Sequence, residues 1–147
     1  MQRQILNLLV IFSIVGLATS GCGPSGPHEA KVTGSVTMGG KAEESVRVNF
    51  IHSGNKDASK GAVTKADGKF EVELQPGKYA VTLSKMVDKT GKVPGESEDP
   101  TKDYTQLEAS GLLRQAIPRK YVDPSSTPLS AEITEEEQDM PPFDVVK

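Results

Sequence analysis

The 147-residue chain predicts an all-β fold: a single antiparallel β-sandwich. Three observations carry that expectation. From Ala30 onward apolar and polar residues alternate with period two, which gives each strand one dry and one wet face. Turn-forming pairs (Gly39-Gly40, Asp67-Gly68, Pro76-Gly77) punctuate the alternation at intervals of roughly ten residues. Large apolar side chains are scarce, with 35% hydrophobic residues, 4 Phe, 3 Tyr and no Trp, and many of the aliphatic ones sit in the first 21 positions. So thin a supply suits short strands better than a deep helical core.

The first strand turns Val32, Gly34 and Val36 inward and Thr33, Ser35 and Thr37 outward, and Gly39-Gly40 closes it. The second sets Val46, Val48 and Phe50 inward, until Ser53-Gly54-Asn55 breaks it into a polar loop. A short strand over Gly61–Lys65 leads to Asp67-Gly68, read as a two-residue hairpin turn needing positive φ at both positions. Phe70, Val72 and Leu74 then face inward, opposite Glu71 and Glu73. Pro76-Gly77 predicts a type II turn with positive φ at Gly77. Tyr79, Val81 and Leu83 form the inner face of the next strand.

Residues 86–115 break this rhythm. Lys89, Gly91, Lys92, Pro94, Gly95, Glu96, Glu98, Asp99 and Pro100 make a charged, breaker-rich stretch, predicted to be one long, flexible polar insertion. Glu108–Arg114 reads as a brief helical turn within it. The β pattern returns at Ile117-Pro118-Arg119-Lys120-Tyr121, where Tyr121 is expected to fasten the returning segment through its ring and hydroxyl. It continues through Leu129, Ala131 and Ile133, passes the acidic turn Glu135-Glu136-Glu137, and ends with Phe143 and Val145 inward and Asp144 outward.

The opening has a different chemistry. Arg3 is the only charged residue before Cys22, and an apolar run of about 14 residues from Ile5 to Ala18 carries Asn7 and Ser13. A spanning helix needs roughly 20 apolar residues, so a secretory signal is the better reading. The segment resembles a bacterial lipoprotein signal, with the small residues Ser20 and Gly21 before Cys22, the chain's only cysteine. That resemblance implies cleavage between Gly21 and Cys22 and acylation, palmitate included, at Cys22. Each buried methylene contributes about 0.8 kcal/mol, so several acyl chains hold a protein firmly to a bilayer. Gly23-Pro24-Ser25-Gly26-Pro27 follows as a tether without core-forming side chains. The expected organisation is a signal peptide over 1–21, a lipidated cysteine and tether over 22–29, and a β-sandwich over 30–147 containing the 86–115 insertion.

The strand residues resemble those of small bacterial lipoproteins with a carboxypeptidase regulatory-like, transthyretin-like β-sandwich domain. The likeness rests on Val32-Thr33-Gly34-Ser35-Val36 and Val46-Arg47-Val48-Asn49-Phe50, then Thr64-Lys65-Ala66-Asp67-Gly68-Lys69-Phe70 and Pro76-Gly77-Lys78-Tyr79-Ala80-Val81. Ile117-Pro118-Arg119-Lys120-Tyr121, Ser126-Thr127-Pro128-Leu129 and Phe143-Asp144-Val145 complete it. It covers most of the chain beyond the tether, apart from the insertion. It implies a Greek-key sandwich of about seven strands, displayed outside the cytoplasm and not itself catalytic.

Charge and composition narrow the chemistry further. Net charge is −3, and removing the signal leaves 16 basic against 20 acidic residues, so no basic surplus exists for nucleic acid. His28 and His52 are both read as solvated, and with one cysteine they offer no zinc set. Asp67 supplies a single carboxylate, where calcium takes six to eight oxygens. No metal or cofactor is expected. No Gly-x-Ser-x-Gly elbow occurs, and the Tyr-Arg-Gly-Ser ending of the transthyretin-like hydrolases of 5-hydroxyisourate is replaced by Phe143-Asp144-Val145-Val146-Lys147. A Lys31–Asp144 isopeptide crosslink is disfavoured, because alternation puts both side chains outward.

The expected function is therefore that of a non-catalytic binding or structural module, lipid-anchored at the cell envelope and facing the periplasm or the exterior. An accessory or carrier subunit of a carbohydrate- or protein-handling envelope complex is the alternative, and a transthyretin-like hydrolase a more distant one. The expected partners are the membrane, through the anchor, and an envelope protein or glycan. The insertion is the first place to look for that contact, with Tyr104, Leu107 and Leu112 as candidate residues, since sites gather on loops held by rigid scaffolds.

Overall fold

The computed structural model describes residues 28–94, 106 and 109–146. Alternation becomes two facing sheets. The first is organised around β1 (Ala30–Met38), which pairs antiparallel with β2 (Lys41–Ala42) and β5 (Lys69–Leu74) on one side. The second runs β4 (Lys60–Val63), β3 (Arg47–His52), β6 (Gly77–Ser84) and β9 (Ser130–Ile133), antiparallel throughout. The inward positions named from sequence are buried between them: Val32, Val36, Val46, Val48, Phe50, Phe70, Val72, Leu74, Tyr79, Val81, Leu83, Phe143 and Val145. Phe50 sits at the centre, with ring centroids 5.8 Å from Phe70, 6.2 Å from Tyr79 and 6.5 Å from Phe143. The fold is an all-β sandwich.

Two pairings depart from the antiparallel expectation. β10 (Gln138–Asp139) and β11 (Phe143–Val145) flank the other side of β1 and run parallel to it. The chain leaves β9 in one sheet, passes Thr134–Glu137, and joins the opposite sheet, so no tight hairpin constrains its direction. Pro141 and Pro142 separate the two short strands. Proline cannot donate to a ladder, which confines it to edges and interruptions such as this one.

The Asp67-Gly68 turn also differs from its expected form. Gly68 has φ 74°, but Asp67 is not among the residues of positive φ. Gly68 N donates to Lys65 O at 2.9 Å, Lys65 N to Lys69 O at 2.8 Å, and Lys69 N to Asp67 Oδ1 at 3.0 Å. This is a wider turn with a left-handed residue at its end. It carries the chain from β4 in one sheet to β5 in the other. A two-residue hairpin would have kept both strands in one sheet.

Two further segments differ from the sequence expectation. Arg119–Val122 forms a single helical turn, α1, which buries Tyr121. The Tyr121 hydroxyl accepts from Val146 N at 3.2 Å, so it fastens the end of β11. The insertion's two ends are ordered: β7 (Met86–Asp88) pairs antiparallel with β8 (Leu113–Gln115), and Val87 and Leu113 are buried. Leu113 and Arg114 therefore lie in a strand. The helical turn stops before them, with Ser110 N donating to Gln106 O at 2.9 Å.

Candidate functional site

The strands give the sandwich two distinct ends. The chain joins it at Glu29 and Ala30, where Glu29 Oε2 meets Lys60 Nζ at the start of β4. β1 leads away from that end, β5 returns toward it, and β3 begins at the far end with Arg47. A groove of about 700 Å³ lies at the far end. Its walls come from the start of β3, the end of β4, the junction of β6 with β7, and Val93-Pro94 of the insertion.

A β-bulge shapes one wall. Ser45 N donates to Thr64 O, and Thr64 N to Val46 O, so two residues oppose one. Ser45 takes φ 57°, a left-handed conformation uncommon outside glycine. The buried Thr64 hydroxyl stitches the bulge, accepting from Val46 N at 2.9 Å and donating to Glu43 O at 2.7 Å. Glu43 Oε1 in turn meets Lys85 Nζ at 2.6 Å, and the Lys85 side chain is only 10% exposed. Its charge is thus spent inside the groove wall. Arg47 and Lys65 also line the groove and make no ion pair with any described carboxylate. Val63 and Val93 add apolar surface at 52% and 39% exposure.

The insertion is rooted beside this groove. Gln115 Oε1 accepts from Lys85 N at 2.7 Å and from Ile117 N at 3.3 Å, clamping the outgoing and returning chain together. Ala116 N donates to Lys85 O at 2.8 Å. On the outgoing strand, Asp88 Oδ1 accepts from the Thr90 hydroxyl, Thr90 N and Lys92 N. These bonds, the hydroxyl first, hold its carboxyl below the usual aspartate value. A shallower depression of about 460 Å³ lies along β6 and β9, between Lys78, Ala80, Ser130 and Glu132.

Of the residues picked out from sequence, Leu112 is 48% exposed and does not line the groove. Gly21, Cys22, Tyr104 and Leu107 lie outside the described residues. His28 is exposed, but His52 is not the solvated group expected. Its Nδ1 accepts from Gly54 N at 3.0 Å and Asn55 N at 2.9 Å, and its ring meets Tyr79 edge-on at 4.9 Å. Lys31 pairs with Glu71 at 3.2 Å on exposed surface, whereas Asp144 bonds Thr37 near the opposite end of β1. Among the described residues no three His, Cys, Asp or Glu side chains gather where they could hold a metal ion.

No protein-family model matches the chain, and no curated protein does. A solved structure does resemble it. The crystal structure of a DUF3823 family protein from Parabacteroides merdae superimposes with a TM-score of 0.37 at 13% identity. The likeness covers 80% of this chain but only 45% of that one, so this chain spans less than half the length of its structural neighbour.

The groove is not legible from sequence, because nothing in Glu43-Glu44-Ser45 marks a residue in the left-handed region. The left-handed Ser45 and the neutralised Lys85 exist only once β3, β4 and β6 are side by side. A faint signal was available: Arg47 and Val63 occupy outward positions where a small polar residue would have sufficed.

Proposed function

We propose that the chain is an envelope lipoprotein of the carboxypeptidase regulatory-like kind, anchored through acyl chains on Cys22. Its β-sandwich acts as a non-catalytic binding module, presenting the groove of Arg47, Val63, Lys65 and Val93 to a partner. The polarity of the sandwich carries the reading. The chain joins at the Glu29–Lys60 end, and the groove opens at the other end. A body tied to a membrane through its first strand would hold that groove away from the bilayer, where another envelope component can reach it.

The side chains support binding more than turnover. His52 already spends Nδ1 on two backbone N–H groups, which takes its imidazole out of service as a free general base. Lys85, the most enclosed cation of the groove, is neutralised by Glu43.

The anchor is tested by labelling cells with a palmitate analogue, with and without the signal-peptidase inhibitor globomycin. Label is expected on the mature protein, abolished by Cys22→Ala, with precursor accumulating under the inhibitor. Native protein carrying an unmodified Cys22 thiol would overturn the proposal.

A further inference from the structure

The geometry points to a specific mode of binding at the groove: the open edge of β4 accepts an extended, acidic segment of a partner protein as an added strand. This deepens the binding-module reading above and does not depend on the lipid anchor. Among the described residues β4 pairs with β3 alone. Thr64 N donates to Val46 O, which makes that pair and the alternate pairs Ala62–Val48 and Lys60–Phe50 the hydrogen-bonded ones. The N–H and C=O groups of Gly61 and Val63 therefore point away from the sheet. A row of unpaired main-chain groups is a template for another strand.

Natural edges are usually blunted by charge or proline, but β4 becomes more apolar toward its end. Lys60 is engaged with Glu29, and Gly61, Ala62 and Val63 follow it. Exposed Val63 continues into the apolar surface formed by Met86, Val93 and Pro94. Arg47 stands directly across from Val63 on β3, and Lys65 lies two residues beyond it. Both are cations without a described carboxylate partner, in a protein of net charge −3. Among the described residues Glu44 is the one acidic side chain lining the groove. Main-chain pairing would supply affinity, the valines a contact for apolar residues, and Arg47 with Lys65 the preference for carboxylates. Two cations without a described partner are too few for a nucleic-acid backbone.

The full-length protein in detergent micelles provides the test. The probe is a fluorescent peptide of alternating Glu and Val, about six residues long, the ordinary length of a strand. It is compared with its Lys-Val counterpart and with a version N-methylated at alternate residues. The acidic peptide should bind roughly five- to tenfold more tightly than the basic one. Binding should slow amide exchange at Gly61 and Val63, and N-methylation should abolish it. The Arg47→Ala, Lys65→Ala double variant should lose the acidic preference while the unliganded amide spectrum stays native. Equal binding of both peptides, indifference to N-methylation, or unchanged exchange at Gly61 and Val63 would overturn the proposal. So would protection of those amides by self-association without peptide. Palmitate labelling reports on Cys22 alone, so failure of the anchor and failure of strand addition are separate results.

Discussion

Thr37 Oγ1 donates a 2.8 Å hydrogen bond to Asp144 Oδ1, and the same carboxylate oxygen accepts Gly40 N at 3.3 Å. Four residues earlier on β1 the arrangement repeats, with Thr33 Oγ1 donating to Asp139 Oδ1 at 2.8 Å. Each short parallel strand is thus tied to β1 by a side-chain bond as well as by its ladder. Asp144→Ala should lower stability by about 1 kcal/mol, the usual scale for an exposed charge-assisted bond. Urea unfolding of Asp144→Ala, Thr37→Val and the double variant checks this. Strict additivity would show that the pair is uncoupled.

Gly77 cannot be replaced without two separate costs. Its φ is 151°, and a Cβ there would meet the His52 imidazole. Gly77→Ala should destabilise by about 2–4 kcal/mol, combining backbone strain with overpacking. In a His52→Ala background the steric part disappears and the backbone part remains, so the same substitution should cost measurably less. Equal costs in both backgrounds would place the whole effect in the backbone.

Gln115→Ala removes the acceptor shared by Lys85 N and Ile117 N. Exposing two donors at the neck should cost about 1–2 kcal/mol. Amide exchange should accelerate at Lys85 and Ile117 more than at Phe50 or Val81. Uniform acceleration would show that the neck opens only with the whole sandwich.

Excision of the insertion can be placed more exactly than composition allows. Joining Asp88 to Leu113 through a two-residue turn keeps β7, β8 and the Gln115 clamp, and the thermal transition should stay nearly unchanged. Removing 86–115 entirely strips out buried Val87 and Leu113 and should lower the transition clearly.

The pH response has two arms. Asp88 and Asp123 hold their carboxyls below the usual value, through the Thr90 and Ser125 hydroxyls first. A depressed carboxyl binds its proton less readily in the native state, so this contribution is present above the ordinary aspartate value and is lost as pH falls through the depressed one. Tyr79 lies the other way: burial, then the Glu29 carboxylate, raises its hydroxyl above the ordinary tyrosine value. Stability from that group is present below the unfolded tyrosine value and is lost as pH rises through the folded one. Carbon-detected titration of the carboxylates and tyrosinate absorbance measure the two arms. Ordinary values in either would remove that arm.

Period-two alternation made the buried face of most strands legible, because a one-residue error would expose every apolar side chain at once. It names a face and leaves the neighbour open. Alternation therefore sets Phe143 and Val145 inward, where they are buried, but carries no sign of the parallel run of β10 and β11 beside β1. The same limit hides the β7–β8 ribbon, whose buried apolar residues, Val87 and Leu113, are far apart in sequence. Sequence reads His52 as solvated because its partners, the N–H groups of Gly54 and Asn55 and the Tyr79 ring, are supplied by a turn and a neighbouring strand. The groove depends on register most of all, since Arg47 and Val63 become neighbours only through the pairing of β3 with β4.

The parallel alignment of β1 with β10 and β11 also has a mechanical meaning. Tension drawn between Ala30 and Val145 runs along those strands, so their ladder bonds are strained simultaneously, in shear, instead of being peeled apart singly. A domain wired in this way resists a pull applied between the ends of these strands.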